Sequence, residues 1–485
     1  MSLNPVNIDD RAAHTQPIPY TIFTSFQKIL ITVLVSVAAT FSGFASNIYF
    51  PSIPTISFDL SVSTELINLT VTSYMIFQGI SPTFWGAFAD VRGRRIAYVC
   101  TFLIFLGACI GLAETRHYYQ LVILRCLQST GSASTVAIGA GVLGDITTRE
   151  ERGGYMGFFQ AGLLFPLAAG PILGGIFSGT LGWRAIFWFL AIYSGIFLVA
   201  LVFFLPETLR SLVGNGSVPA KGVAKFPLAY IQRRQGRCTK SNAPQGLPSP
   251  GPNKTLRLDF LGPLRILFGG EVTWIILYLS IYYTVWQMAI TAMSTLFKRA
   301  YLLSDVQIGL TFIANGFGSI IGTIFTGKFL DFDYHRIKRH YTGRIEDFPL
   351  ERARLRTIWL WSVLQCASTV VFGWTLNENV HISVPITCTF FIGWASTSTQ
   401  SVITTFLVDV FSKRGASATA ALNLSRCLLG AAGTAVVLPI ANAIGVGWTF
   451  TALTSVMLAS LVLVFVQMRC GAGKRRKREE GEGNS

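Results

Sequence analysis

Acidic side chains are scarce in this sequence: there are 23 Asp and Glu among 485 residues, and none falls near the middle of a long apolar run. Histidine is scarcer still, with five copies (His14, His117, His335, His340 and His381), all in polar segments. No Ser/His/Asp grouping and no metal-ligand spacing emerges, so an enzyme is not expected and neither a metal nor another cofactor is indicated. The eight cysteines are scattered, mostly inside apolar runs, without a CxxC pair, which excludes a disulfide framework and a zinc site. Two glycine-rich stretches mimic nucleotide loops and fail for the same reason. Gly139-Ala-Gly-Val-Leu-Gly144 has no preceding strand, Gly322 to Lys328 is followed by Phe329 where a magnesium-holding hydroxyl would stand, and both lie in apolar runs.

Apolar residues are abundant, at 51% against 13% charged. Apolar windows of about 20 residues, each long enough to cross a bilayer core of about 30 Å as a helix, recur along the whole chain. They fall at 28–50, 66–88, 96–113, 119–143, 154–178 and 183–205, then at 272–296, 306–328, 356–375, 383–407, 416–440 and 446–468. The expected fold is an all-α membrane protein of twelve transmembrane helices in two pseudo-symmetric six-helix bundles, over 28–206 and 271–469. A tail over 1–27, a Gly/Pro/Lys-rich linker over 207–270 and a basic tail over 470–485 complete the chain. The first 27 residues lack the basic-then-apolar pattern of a cleaved signal, leaving the first span as the insertion signal.

The net charge of +16 reflects topology and not nucleic-acid binding. With both termini in the cytosol, 33 of the 39 Lys and Arg fall in inner segments, four outside (Arg116, Arg184, Lys298, Arg299) and two within spans (Arg125, Arg426). The halves also echo each other. Gly86 to Asp90 matches Gly327 to Asp331, Asp145 before Arg152-Gly153 matches Asp409 before Arg414-Gly415, and Ala168-Ala-Gly170 matches Ala431-Ala-Gly433.

Charge concentrates where spans two and three meet, in FWGAFADVRGRRI, with Asp90, Arg92, Arg94 and Arg95 around Gly93. The arginines either enforce orientation alone or form a gate. The pattern Gly86…Asp90…Gly93-Arg94-Arg95 resembles the signature loop of the major facilitator superfamily, with Val91 where an arginine often follows the acid. The resemblance implies that the acid and its basic neighbours, with Asp145 and Arg152, latch the cytosolic side by contacts between bundles. Arg125 and Gln128, on one face of span four, resemble the Arg-x-x-Gln signature of proton-coupled members. An intramembrane arginine either faces a polar cavity or is satisfied by neighbouring carbonyls. In span five Gly162, Gly170, Pro171, Gly174 and Gly175 allow close packing and bending, and the run resembles the signature of drug:proton antiporters. NIYFPSIP (47–54), LPETL (205–209) and NLSRCLLGAAGT (423–434) are similar to fungal twelve-span exporters of the quinidine-resistance and citrate types.

That resemblance implies a monomeric secondary transporter exporting a small-molecule solute in exchange for protons, in contact with membrane lipid, most naturally at the plasma membrane. A vacuolar or vesicular membrane, and a non-transporting sensor on the same fold, remain alternatives. Arg125 and Arg426 are the charges set well inside spans, and with Gln128 and Asn423 beside them they favour an acidic solute. The helix-holding role for both arginines stays open, as does the identity of the proton carrier, for which Asp145 and a carboxylate of the solute are candidates.

Overall fold

The computed structural model describes residues 21–148, 151–216, 262–340, 350–411 and 415–483. Twelve helices of 20 residues or more run through them: α1 (Ser25–Asn47), α2 (Thr64–Arg92), α3 (Arg94–Ala113), α4 (Tyr118–Ile146), α5 (Arg152–Thr180), α6 (Arg184–Phe204), α7 (Thr273–Tyr301), α8 (Asp305–His340), α9 (Ile358–Asn377), α10 (Ser383–Val410), α11 (Gly415–Ile444) and α12 (Val446–Gly483). Each of the twelve apolar windows coincides with one of them, the largest overrun being 28–50, whose last three residues leave α1 for a short 3-10 turn at Phe50–Ser52. α8 and α12 run well past the expected ends at 328 and 468, because the polar continuation of each keeps the helical path after the apolar run stops.

Ten of the twelve are long and apolar enough to cross a bilayer. α2 and α10 are more polar because Asn68 and Thr70, and Ser396, Thr397, Ser398 and Thr399, turn toward protein and are buried there. Thr397 and Thr399 bond their own helix one turn back, on the Gly393 and Ala395 carbonyls at 2.9 Å each, whereas Ser398 bonds across to Thr326 and the Gly322 carbonyl of α8.

One end of the molecule carries the segments after α6 and before α7 and is called the linker face; the other, with the turns near 60–63, 181–183 and 302–304, is the far face. Three apolar cores result. One fills α1–α6 around Phe41, Phe102 and Phe197. A second fills α7–α12 around Tyr278, Tyr282 and Phe406. The third is shared, joining Tyr49, Phe50 and Phe187 of the first bundle to Phe297, Phe312 and Phe450 of the second, all in the far half. Rings of Phe50 and Phe312 stack across it at 6.1 Å. α7 lies deepest, buried without interruption from Val285 to Phe297.

The bundles meet along two seams, α5 with α8 and α2 with α11. Toward the linker face the packing loosens: a Cβ added at Gly86, Gly144, Gly153, Gly154, Gly157 or Gly327 would meet no atom within 4 Å. Among the described residues, close contacts between the bundles run from the far face to Ala168–Gly316 on the first seam and to Gln78–Asn423 on the second.

Candidate functional site

The glycines of span five divide between two neighbours. A Cβ on Gly162 would lie 2.7 Å from the Ser36 carbonyl oxygen, one on Gly170 3.2 Å from Asn47 Cβ, and one on Gly174 would collide with the Ile48 carbonyl. These three seat α5 on α1 and its end. Gly175 turns the other way, where a Cβ would lie 2.6 Å from the Asp305 carbonyl and 3.1 Å from Gly309 Cα of α8. The Pro171 carbonyl faces Gly309 and Ala168 faces Gly316 along the same seam. The echo between halves has a geometric counterpart: Gly170 packs toward α1, and Gly433 packs on Thr284 and Met288 of α7.

Asp90, Arg94 and Asp145 come together at the linker face, but within one bundle. Arg94 reaches Asp90 at 2.6 Å and Asp145 at 3.1 Å. Asp90 is half exposed and these bonds stay inside α1–α6, so the interbundle latch that the resemblance implies is not what these pairs make in this state. The segment expected to be a free linker also contributes. Glu207, 4% exposed, accepts the backbone amides of Arg94 at 2.9 Å and Arg95 at 3.2 Å, closing the orphan donors that begin α3. It accepts the Thr208 and Leu209 amides as well. Gly93 has φ 110° and its missing Cβ leaves room for that carboxylate. Arg210 donates to the Asp145 carbonyl at 3.0 Å, so residues 207–210 are tied to the first bundle. In the second bundle Arg354 pairs with Asp409 at 2.8 Å, the counterpart of Arg94 with Asp145. Arg152 begins α5, but its side chain, like those of Asp331 and Arg414, lies outside what is described.

Arg125 is 1% exposed. Its guanidinium lies between the rings of Tyr49 (4.3 Å) and Tyr74 (4.4 Å) and donates to the Ala45 carbonyl at 2.9 Å and Gln128 Oε1 at 2.7 Å. Gln128 in turn donates to Cys109 Sγ. Two aromatic faces, a carbonyl and an amide thus hold the charge in place of a carboxylate. Arg125 is closed inside the first bundle in this arrangement, where a carbonyl, an amide and two rings satisfy it, the second of the two placements open from sequence.

Arg426 is different. Near the middle of α11 and partly exposed, it donates through Nε (3.2 Å) and an Nη (2.9 Å) to Asn423 Oδ1 and lies 4.9 Å over the Tyr283 ring. Among the described residues no carboxylate pairs with it. Asn423 uses its amide to cross the seam, donating to the Gln78 carbonyl of α2 at 3.1 Å. Arg426 and Asn423 therefore sit together at the bundle interface, whereas Arg125 and Gln128 do not join them. Gln78, Tyr49, Tyr74 and Glu207 were not singled out from sequence. Tyr49 and Glu207 did lie inside motifs that carry the resemblance, NIYFPSIP and LPETL, whereas Gln78 and Tyr74 carried no local signal.

A model of the Major Facilitator Superfamily matches residues 35–434. Citrate exporter 1 of Aspergillus niger is 38% identical over 491 aligned residues, covering 99% of this chain and 92% of its own length. The MFS antiporter QDR2 of Candida albicans is 34% identical, covering 92% of this chain and 90% of its own. A crystal structure of a D-xylose–proton symporter superposes with a TM-score of 0.63 at 16% identity, over 90% of this chain and 97% of the symporter, a likeness of fold. Twelve helices in two bundles, the paired Arg–Asp contacts and a matched stretch covering most of the chain agree: this is a membrane transporter and not an enzyme, and it belongs to the major facilitator superfamily.

Proposed function

We propose that this protein exports a small acidic organic solute by alternating access, exchanging it for protons, with both termini in the cytosol of a cell whose plasma membrane it spans. The observation that carries the substrate class is Arg426: a partly exposed cation at mid-depth on the bundle interface, oriented by Asn423 and without a carboxylate partner among the described residues. An unneutralised guanidinium in a low-dielectric setting attracts a carboxylate strongly and repels a permanent cation. Similarity to a citrate exporter across 99% of the chain supports the same class. Similarity to an antiporter supports the exchange, and the basic residues at the linker face support the orientation. With that face open to the cytosol, the solute enters beside Arg426 and leaves after the far half opens and the linker half closes.

The test is uptake into inside-out proteoliposomes with an imposed pH gradient, comparing citrate, a monocarboxylate and a quaternary amine. Acids should be taken up and collapse of the gradient should slow them. Arg426→Gln should reduce acid transport by about tenfold or more, the equivalent of one lost charge-assisted hydrogen bond of about 1.5–3 kcal/mol. Preferred transport of the amine by the unmodified protein would defeat the acidic reading and leave a cation exporter.

A further inference from the structure

Lys298 and Arg299 are adjacent cations at the end of α7, on the face where basic residues are disfavoured, and they diverge to the two seams. Lys298 pairs with Asp305 Oδ1 at 3.2 Å. Asp305, the first residue of α8 and 8% exposed, accepts at Oδ2 from the hydroxyls of Ser178 on α5 (2.6 Å) and Thr55 on the short helix Ile53–Asp59. Both hydroxyls belong to the first bundle, while Asp305 and Lys298 belong to the second. Arg299 donates to Asn442 Oδ1 at 2.9 Å, and Asn442 donates to Glu65 Oε1 of α2 at 3.0 Å, crossing the other seam.

We propose that these groups are a two-armed latch closing the far face, with Asp305 as the positioning residue that holds it. The buried arm dominates. A carboxylate receiving two hydroxyls and an ammonium makes charge-assisted bonds in a site shielded from water, whereas the Arg299–Asn442–Glu65 arm is exposed and screened. Opening the far face draws α5 from α8, removing both hydroxyl donors at once and leaving Asp305 with Lys298 and water. Just beneath the carboxylate, Gly175 lies against the Asp305 backbone carbonyl, so side-chain latch and backbone contact close together. The latch acts on the resting equilibrium between the two faces, whatever the solute. It rests on alternating access and not on the acidic-solute reading.

The experiment measures distance by pulsed electron paramagnetic resonance between nitroxides at Leu181→Cys and Leu302→Cys, exposed far-face positions in different bundles. It uses the full chain in lipid nanodiscs on a background freed of native cysteines, with no solute added. The unmodified background should show mainly the short, closed distance. Asp305→Asn should raise the ratio of the longer population about tenfold, with Asp305→Glu restoring part of the closed state. Thr55→Val combined with Ser178→Ala should do the same while leaving the Asp305–Lys298 pair intact, and this decides the matter if Asp305→Asn fails to insert. Arg299→Gln should shift the ratio by less than about threefold. An unchanged distance distribution in the inserted Thr55→Val, Ser178→Ala protein would overturn the latch. A shifted distribution in a protein that transports none of the acids tested would uphold the latch while refuting the acidic-solute reading.

Discussion

Below the Asp305 side-chain cluster at its far end, the α5–α8 seam is made mainly of backbone, whereas the α2–α11 seam is made mainly of side chains. Along the first, Gly175 meets Gly309 and the Asp305 carbonyl, Gly309 meets the Pro171 carbonyl, and Gly316 meets Ala168, so the helix axes come as close as main chain allows. Along the second, Gly79 meets Cys427 Cβ, Met75 reaches Gly430, Thr72 bonds Thr434 at 3.2 Å, and Asn423 bonds the Gln78 carbonyl. Backbone contact of this kind has no freedom to adjust and is either made or lost. Side chains can change rotamer, accept water or turn to a solute while the helices slide. On the function proposed above, closure falls to the first seam and adaptation to the second, where Arg426 would meet the solute.

Gly175→Leu should have the largest effect, because an isobutyl group has to displace main chain on α8. Transport should fall below one hundredth of normal in protein that is inserted and monodisperse. The comparison fails if Gly79→Leu on the other seam, where the side chain of Cys427 is the obstacle, does equal damage. Gly174→Leu, against the Ile48 carbonyl, should instead damage the first bundle itself and appear as lost thermal stability in detergent.

Asn423→Leu should come next. It removes the bond to Gln78 and frees the Arg426 guanidinium, so the expected outcome is a raised KM of about tenfold with a smaller change in maximal rate. A purely lowered rate with unchanged KM would move Asn423 from solute contact to closure and erase the distinction between seams.

Asp90→Ala probes the linker end of α2, beyond the Asn423–Gln78 bond of the second seam. Asp90 is half exposed and Arg94 keeps Asp145, so the far-closed state should survive unaltered. If Asp90 engages the second bundle when the linker face closes, as the family resemblance implies, transport should slow severalfold while thermal stability stays the same. Normal transport in the inserted variant would remove Asp90 from the cycle.

The smallest effect belongs to Lys28–Glu151, a 2.5 Å pair joining the start of α1 to the turn before α5, remote from both seams. The hydrogen bond from Lys28, followed by that from the Thr148 amide, holds the Glu151 carboxyl below its usual range. Its stabilisation is therefore present above the ordinary carboxylate pKa and lost as pH falls through the lowered value. At neutral pH, Glu151→Gln should cost less than about 1 kcal/mol and leave transport unchanged, and below the lowered pKa the variant and the parent should melt alike.

The twelve spans and their grouping were legible in the sequence because a bilayer demands a continuous apolar window of fixed length, a one-dimensional property. The close helix packing of span five was legible for a related reason: glycine spaced at three and four residues marks a face whatever it meets. Which neighbour it meets was not legible, and Gly174 and Gly175, adjacent in sequence, serve α1 and α8 respectively. The two intramembrane arginines show the same limit. Arg125 and Arg426 each stand on a helix three residues from an amide, and although they fall in different motifs of resemblance, nothing local distinguishes their surroundings. Tertiary structure separated them by placing Tyr49 and Tyr74 around the first and the open interface beside the second. Asp305, Ser178 and Thr55 were invisible together because they stand far apart in the chain and on both bundles, and nothing local marks a carboxylate whose donors arrive from another bundle. Sequence by itself determined what crosses the membrane, since each helix satisfies its own backbone. Which polar group is buried, paired or exposed was decided only when two bundles packed, because that depends on what the neighbouring helix brings.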